Sequence, residues 1–169
     1  MLDWAIRQRE MPVGVRVPAG GVVSNPDCKL LDDYSIPKYE VVRTGDRIAL
    51  IGVGSMFPRM KKAADILEKK GVKATLINPR SVTYLDTEVL GLLLGYDLVI
   101  TAEDGIVDGG FGQKIADYLS QPGVEHNPEI SCLGLPKEFL DRYSPADLLH
   151  QCGLEPEQIA DLAMSVLKR

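Results

Sequence analysis

Short apolar runs alternate with amphipathic segments over most of this chain, from about residue 38 to the carboxyl end. The apolar runs are rich in β-branched and aliphatic residues, as buried strands require. They lie at 39–43, 47–54, 72–77, 97–101 and 129–134. The segments between and after them carry apolar residues every three or four positions, which predicts helices, for example over 56–70. Strands and helices that alternate at these lengths predict a mainly parallel sheet covered on both faces.

The predicted fold class is therefore a three-layer α/β/α domain with a five-stranded mixed sheet. Only residues 44–46 separate the strands 39–43 and 47–54, which is too short for a helical crossover. The first strand is accordingly predicted to be an antiparallel edge strand. Asp86 and Ser144 have the side chains and the positions expected of helix N-caps.

The segment 97–119 is predicted to form one strand, loop and helix unit. An apolar run that ends near Thr101 is followed by acidic residues and by several glycines. An amphipathic helix is then predicted over 108–120. Loops of this kind lie at the carboxyl edge of a parallel sheet, where α/β proteins usually have their sites.

The amino-terminal residues do not continue this alternation. Residues 1–10 have the apolar spacing of a helix, and 12–17 alternate like a strand, but neither has neighbours in the sequence to complete a sheet. The following stretch is rich in proline and glycine, as linkers are. The predicted organisation is a tail of a larger upstream domain over 1–20, a linker over 21–37 and an α/β domain over 38–169.

The amino-acid composition argues against several classes of binding partner. The 169 residues are 45% hydrophobic and 25% charged with a net charge of −5, so one ordinary core is expected and the basic patch of a nucleic-acid or anionic-membrane protein is missing. No apolar run approaches the roughly 20 residues of a membrane span. Cys28, Cys132 and Cys152 are widely spaced and odd in number, which favours free thiols in a reducing cytoplasm.

Four segments carry a resemblance to a known family. They are IALIGVGSMFPRMKKAADIL, NPRSVTYLD, ITAEDGIVDGGFGQKIADYL and LGLPKEFLDRYSPADLLHQCGLEPEQIA. In this order they resemble the carboxyl-terminal domain of the 1-deoxy-D-xylulose-5-phosphate synthases, and residues 1–20 resemble the end of the pyrimidine-binding domain of those enzymes. Transketolases and the β chains of 2-oxo-acid dehydrogenases share part of this pattern, but the last segment is more particular to the synthases.

The resemblance implies a thiamine-diphosphate enzyme that condenses pyruvate with glyceraldehyde 3-phosphate and releases carbon dioxide. Members of the family hold thiamine diphosphate and Mg²⁺ on upstream domains through a GDG motif, which this sequence lacks, and use an upstream glutamate. The implied full enzyme is a cytoplasmic homodimer. No catalytic, cofactor-binding or metal-binding residue is expected in this chain, which alone should be inactive. The alternatives are a free-standing interaction module and a subunit of a split transketolase-like or dehydrogenase-like enzyme.

One departure from the family concerns the substrate. The family usually has YPRG where this chain has VPAG at 17–20, so Ala19 replaces an arginine that helps to bind the aldehyde's phosphate. A methyl group cannot replace a guanidinium in that role. Arg16 is the nearby basic residue and the candidate for substrate binding. The alternative interpretation is an arginine in a local ion pair.

Two further residues are expected at the carboxyl edge of the sheet. Arg80 and Glu103 each follow a predicted buried strand, and we expect these strands to be neighbours. The two side chains are therefore candidates for an ion pair or for the lining of a groove, and a structural ion pair is the simpler interpretation.

The remaining motifs are weak. Gly52 and Gly54 precede a helix, but the third glycine of a dinucleotide fingerprint is absent, and the proline that follows is expected to set the first helical turn. Asp104 and Asp108 are at best weak cation ligands. The two histidines, His126 and His150, have no acidic or cysteine partner at catalytic or metal spacing and are expected at the surface or at a helix end.

Overall fold

A computed structural model describes residues 1–18, 21, 31–36, 38–120, 126–141 and 143–167. The strands are β1 (Glu40–Arg43), β2 (Ile48–Gly52), β3 (Ala74–Asn78), β4 (Leu98–Ile106) and β5 (Glu129–Leu135). The helices are α1 (Leu2–Arg7), α2 (Phe57–Lys69), α3 (Thr87–Gly91), α4 (Phe111–Leu119), α5 (Pro145–Gln151) and α6 (Pro156–Leu167), and a 3-10 turn at Gly54–Met56 precedes α2.

The five strands form one mixed sheet in the order β1-β3-β2-β4-β5. β1 pairs with β3 in antiparallel orientation, and the pairs β2/β3, β2/β4 and β4/β5 are parallel. Glu40 at the start of β1 lies opposite Asn78 at the end of β3. The predicted fold class, including the antiparallel first strand, is confirmed. All carboxyl ends of the parallel strands meet at one edge.

Each face of the sheet has its own hydrophobic core, because successive side chains of a strand point to opposite faces. In the fully buried strand β2, Ile48 and Leu50 face α2 and α6, whereas Ala49 and Ile51 face α3 and α4. The apolar stripe predicted for the helix after β2 is buried as expected. The sheet is thus the middle of three layers, and α5 adds side chains to the α2 and α6 layer.

The unit around β4 differs from its prediction at two boundaries, the end of the strand and the start of the helix. The strand continues to Ile106, and α4 begins at Phe111 rather than near Asp108. Gly109 has a φ of +72°, and Gly110 is extended, so the chain is not helical until Phe111. The predicted order of strand, loop and helix is confirmed, with a helix three residues shorter at its start.

The amino-terminal segment contains the predicted helix, α1, but no strand at 12–17. No strand of the described sheet pairs with residues 12–17, and their assignment to an upstream domain stays a prediction. Trp4 of α1 donates a hydrogen bond to Asp33 and makes an edge contact with Tyr34. Ala19, Cys28 and most of the predicted linker lie outside the described residues.

Candidate functional site

A groove of about 570 Å³ lies at the carboxyl edge of the sheet. One wall is formed by residues 11–18, and the other by residues 53–55 after β2, residues 78–84 from the end of β3 onward, and Asp104 of β4. Much of the lining is apolar. The polar side chains in it include Arg16, Ser55, Asn78, Arg80, Ser81 and Asp104. This is the edge at which the sequence predicted a site.

Arg16 reaches across the groove to a residue that is distant in sequence. Its Nη2 lies 3.2 Å from Oδ1 of Asp104, which follows 88 positions later. The other carboxylate oxygen of Asp104 accepts a hydrogen bond of 2.7 Å from the hydroxyl of Ser55. The arginine is therefore in an ion pair, but in a long-range one rather than a local one. Its side chain remains 75% exposed.

Arg80 lies on the opposite wall and is much more buried. Its Nη2 lies 2.9 Å from Oε1 of Glu40, and the two side chains are 9% and 20% exposed. The second oxygen of Glu40 accepts a hydrogen bond of 3.2 Å from the side-chain amide of Asn78. Glu40 is not among the residues that line the groove, so it holds Asn78 and Arg80 from behind.

The structure does not bring Arg80 and Glu103 together. We expected their strands to be neighbours, but β2 lies between β3 and β4. Arg80 pairs with Glu40 instead. Glu103 accepts backbone hydrogen bonds from Phe111 at 3.2 Å and from Gly112 at 3.0 Å. Arg80 lines the groove, whereas Glu103 does not.

The role of Glu103 also explains the glycine-rich loop. Its carboxylate satisfies two amide groups at the start of α4, where unpaired N–H groups and the helix dipole favour a negative charge. A Cβ atom on Gly110 would lie 2.4 Å from Oε1 of Glu103. The loop thus accommodates an internal carboxylate cap, and this helix terminus is already occupied by the protein's own charge.

The other acidic and histidine candidates lie at the surface. Asp108 pairs with Lys137 at 2.6 Å, and this contact raises the pKa of the lysine. His150 lies in the last turn of α5, as expected. His126 has an acidic neighbour that the sequence did not predict, since its Nε2 lies 4.0 Å from Oδ1 of Asp97.

The acidic residues of this edge do not fit a magnesium diphosphate site. Glu103 caps a helix, Asp104 binds Ser55 and Arg16, and Asp108 binds Lys137. Within the described ranges, no three His, Cys, Asp or Glu side chains cluster as metal ligands would. A Mg²⁺ ion that carries a diphosphate needs several oxygen ligands in octahedral geometry.

Cys132 lies in β5, opposite Thr101 of β4. Burial raises the pKa of its thiol, and the charges of Glu103 and Asp117 act in the same direction. Since the thiolate is the nucleophilic form, this environment disfavours nucleophilic chemistry.

In the described part of the chain, no helix has the length and hydrophobicity to cross a membrane.

Sequence reasoning did not identify Glu40 or Ser55 as parts of this site. Glu40 begins the edge strand, and only the antiparallel register brings it opposite Asn78. Ser55 follows the incomplete glycine motif, and its hydroxyl, just after a buried strand, is well placed to bind an acid from the neighbouring strand. The strand order, which sequence does not give, decides both contacts.

The chain is similar to known proteins over nearly its whole length. A 1-deoxy-D-xylulose-5-phosphate synthase of Symbiobacterium thermophilum is 36% identical over 160 residues, which cover 94% of this chain and 24% of that protein. The corresponding protein of Thermomicrobium roseum is 32% identical over 168 residues, covering 99% of this chain and 26% of that protein. The chain thus spans about a quarter of the length of these relatives.

Solved structures share the fold. One, described as a split-gene transketolase in an inactive β4 tetramer, has a TM-score of 0.70 and 24% identity over 88% of this chain and 46% of that chain. The transketolase of Campylobacter jejuni has a TM-score of 0.55 and 14% identity over 75% of this chain and 18% of its own. The family model for the transketolase C-terminal domain matches residues 37–159. This chain therefore belongs to the transketolase C-terminal domain family.

Proposed function

We propose that this chain is the carboxyl-terminal part of a thiamine-diphosphate-dependent transferase of the 1-deoxy-D-xylulose-5-phosphate synthase type. The reaction proposed for the full enzyme is the condensation of pyruvate with glyceraldehyde 3-phosphate, with release of carbon dioxide. The main observation behind this proposal is that 94–99% of this chain matches such synthases, whereas the match covers only 24–26% of their length. The chain's own role is to support the upstream domains and the dimer, and it is inactive alone.

The surface of the amino-terminal segment supports upstream domains as partners. Residues 1–17 expose several large apolar side chains, whereas the side chains of the same kind in β2 are fully buried. The exposed ones are Met1, Leu2, Ile6, Met11 and Val17. An exposed apolar group of this kind is typical of a contact surface. We propose that residues 1–20 complete a pyrimidine-binding domain, that 21–37 link it and that 38–169 form the C-terminal domain.

We assign thiamine diphosphate and Mg²⁺ to the upstream domains of the full enzyme. The engagement of Asp104 and Asp108 with basic and hydroxyl partners supports this assignment. The cofactor supplies the carbanion chemistry when it is bound, and the protein supplies orientation. The full enzyme is proposed to be a cytoplasmic homodimer.

Arg16 is proposed as a substrate-binding residue. It lines the groove, its guanidinium is mostly exposed there, and the family's usual arginine is replaced by Ala19 a few residues later. A guanidinium binds phosphate oxygens well because its N–H groups are charged and form a planar fork. In this proposal Arg80, which Glu40 neutralises, forms the opposite wall rather than the principal anion contact.

Calorimetry with a partner region tests this function. The upstream three quarters of the Symbiobacterium thermophilum synthase would be produced without the part that this chain matches. We expect thiamine diphosphate and Mg²⁺ to bind to the mixture of both proteins and not to this chain alone. Micromolar binding to the purified 169-residue chain would place the cofactor site in these residues and refute the proposal.

A second candidate function is that of a subunit in a split enzyme, or of a free-standing interaction module. The observation in its favour is the same set of exposed apolar side chains on residues 1–17. These side chains can contact a separate partner chain as well as an upstream domain of the same chain. The solved split-gene transketolase provides a precedent for separate chains with this fold. Activity that the mixed proteins restore without a covalent bond supports the split enzyme, whereas stable association without activity supports the interaction module.

A further inference from the structure

Asp104 connects the two walls of the groove. One of its oxygens lies 3.2 Å from Nη2 of Arg16 on the amino-terminal wall. The other accepts the hydroxyl hydrogen of Ser55, which lies in the turn after β2. Asp104 itself belongs to β4, the next strand of the sheet. Two rigid elements therefore determine where this carboxylate lies.

Arg16 has the opposite character. It lies in a segment without regular secondary structure, and its side chain is 75% exposed. Its guanidinium donates one hydrogen bond to the described residues, from Nη2 to the carboxylate of Asp104. Arginine has five N–H donors, so this contact leaves further donors for a ligand. An exposed arginine without such a contact would sample many rotamers, and ordering it on binding would cost entropy.

We infer that Asp104 is a positioning residue for Arg16 and that Ser55 fixes Asp104 for this task. This inference rests on the proposed substrate-binding role of Arg16. The ion pair holds the guanidinium across the groove, with its other donors available to a phosphate or similar oxyanion of the substrate. The hydroxyl of Ser55 prevents the carboxylate from rotating, so the pair keeps one geometry. The arrangement compensates for the arginine that Ala19 replaces.

The charge balance of the groove favours this assignment of roles. Arg80, on the other wall, is 9% exposed and is compensated by Glu40, so it offers an incoming anion little uncompensated charge. Arg16 and Asp104 form a more exposed pair, in which water screens the attraction. An oxyanion can therefore bind to the free edge of Arg16 while Asp104 retains its own contact.

The test measures binding of glycerol 3-phosphate, a stable phosphomonoester, to the full 169-residue chain. Binding is followed through the Nε–H resonance of Arg16 in nitrogen-15 NMR spectra, and glycerol serves as the unphosphorylated control ligand. Two variants keep the net charge of the groove: Ser55→Ala removes the hydroxyl, and Asp104→Glu displaces the carboxylate. The matched control is Asp108→Glu, the same change in the loop that follows β4, where the partner is Lys137 outside the groove.

We expect saturable shifts at Arg16 with glycerol 3-phosphate and none with glycerol. Loss of one hydrogen bond should weaken binding about threefold to tenfold in each of the two variants, with a more mobile Arg16 side chain, while the control binds like the wild type. Wild-type affinity in both folded variants would overturn the positioning role. No shift at Arg16 in the wild type would overturn the inference together with the proposed role of Arg16, and so distinguishes the two failures.

Discussion

The carboxylate of Glu103 accepts the backbone amide hydrogen of Gly112 at 3.0 Å, so a residue of β4 caps the helix that follows it. The same carboxylate accepts the amide of Phe111 through its other oxygen. The glycine-rich loop between them is therefore a structural connection that permits close packing of α4 on the sheet. Asp104, the next residue along β4, lies at the groove.

Because α4 lies close to the sheet, we expect a side chain at Gly112 to destabilise the fold. A Cβ atom there would lie 2.4 Å from Oγ1 of Thr101 and 3.1 Å from Sγ of Cys132, both on buried or half-buried strand positions. We expect Gly112→Ala to lower the free energy of unfolding by about 1–3 kcal/mol, as overpacking does. The control is Gly91→Ala in α3, where a Cβ meets nothing within 4 Å. Urea unfolding should show the control unchanged or slightly more stable; equal losses would contradict this packing.

The ion pair between Glu40 and Arg80 should matter more for stability than a surface pair of the same length. Glu40→Gln removes the charge that compensates a largely buried guanidinium and sets an amide N–H group against Asn78. We expect a loss of about 2 kcal/mol or more in the free energy of unfolding.

Asp161→Asn is the matched control for this pair. Asp161 pairs with Lys70 at the same 2.9 Å, but the aspartate and lysine side chains are 73% and 43% exposed. Its expected effect is at most about 1 kcal/mol, because water screens exposed pairs. Equal effects of the two substitutions in chemical denaturation would argue against a buried structural role for Glu40.

Asp86 is predicted to stabilise two elements at once. One oxygen caps α3 through the amide of Val89 at 3.2 Å, and the other accepts the amide of Tyr39 at 2.8 Å. Asp86→Ala should therefore cost about 1–2 kcal/mol for the cap, plus a further loss for the unpaired amide. Ser144→Ala removes a single cap from α5, a helix without buried residues, and should cost less. Thermal unfolding that ranks the two variants in the opposite order would refute the double role.

The buried hydroxyl of Tyr39 is expected to make the protein less stable at alkaline pH. Burial raises the pKa of its hydroxyl to about 12, from an ordinary value of about 10. The folded state thus keeps this proton at a pH at which the unfolded state releases it. The contribution of Tyr39 is complete below pH 10 and declines as the pH rises towards 12. We expect Tyr39→Phe to reduce the slope of stability against pH in this window; an unchanged slope would exclude Tyr39 as its source.

The sequence predicted the elements of this fold better than their arrangement. The apolar runs identified all five strands, and the short connection 44–46 identified the antiparallel edge strand, because both signals are local. The start of α4 was misplaced because Gly109 and Gly110 adopt conformations that a hydrophobic pattern does not encode.

The contacts of the candidate site depend on strand order and on long-range pairing. Arg80 and Glu103 were expected on neighbouring strands, but β2 lies between their strands. Arg80 pairs with Glu40, and Glu103 accepts the amide hydrogen of Gly112. The partner of Arg16 lies 88 positions away, a distance over which sequence spacing gives no information. Sequence alone therefore located the edge of the sheet where the groove lies, and the three-dimensional packing determined which of its side chains meet.

The most direct test of the proposed function is the activity of a covalent chimera. The chain would replace the matched quarter of the Symbiobacterium thermophilum synthase, and product formation from pyruvate and glyceraldehyde 3-phosphate would be measured with thiamine diphosphate and Mg²⁺. A second chimera that carries the matched quarter of the Thermomicrobium roseum relative is the control for the junction. We predict that both chimeras are active and that the isolated chain is not. An active control beside a folded but inactive chimera of this chain would contradict the account.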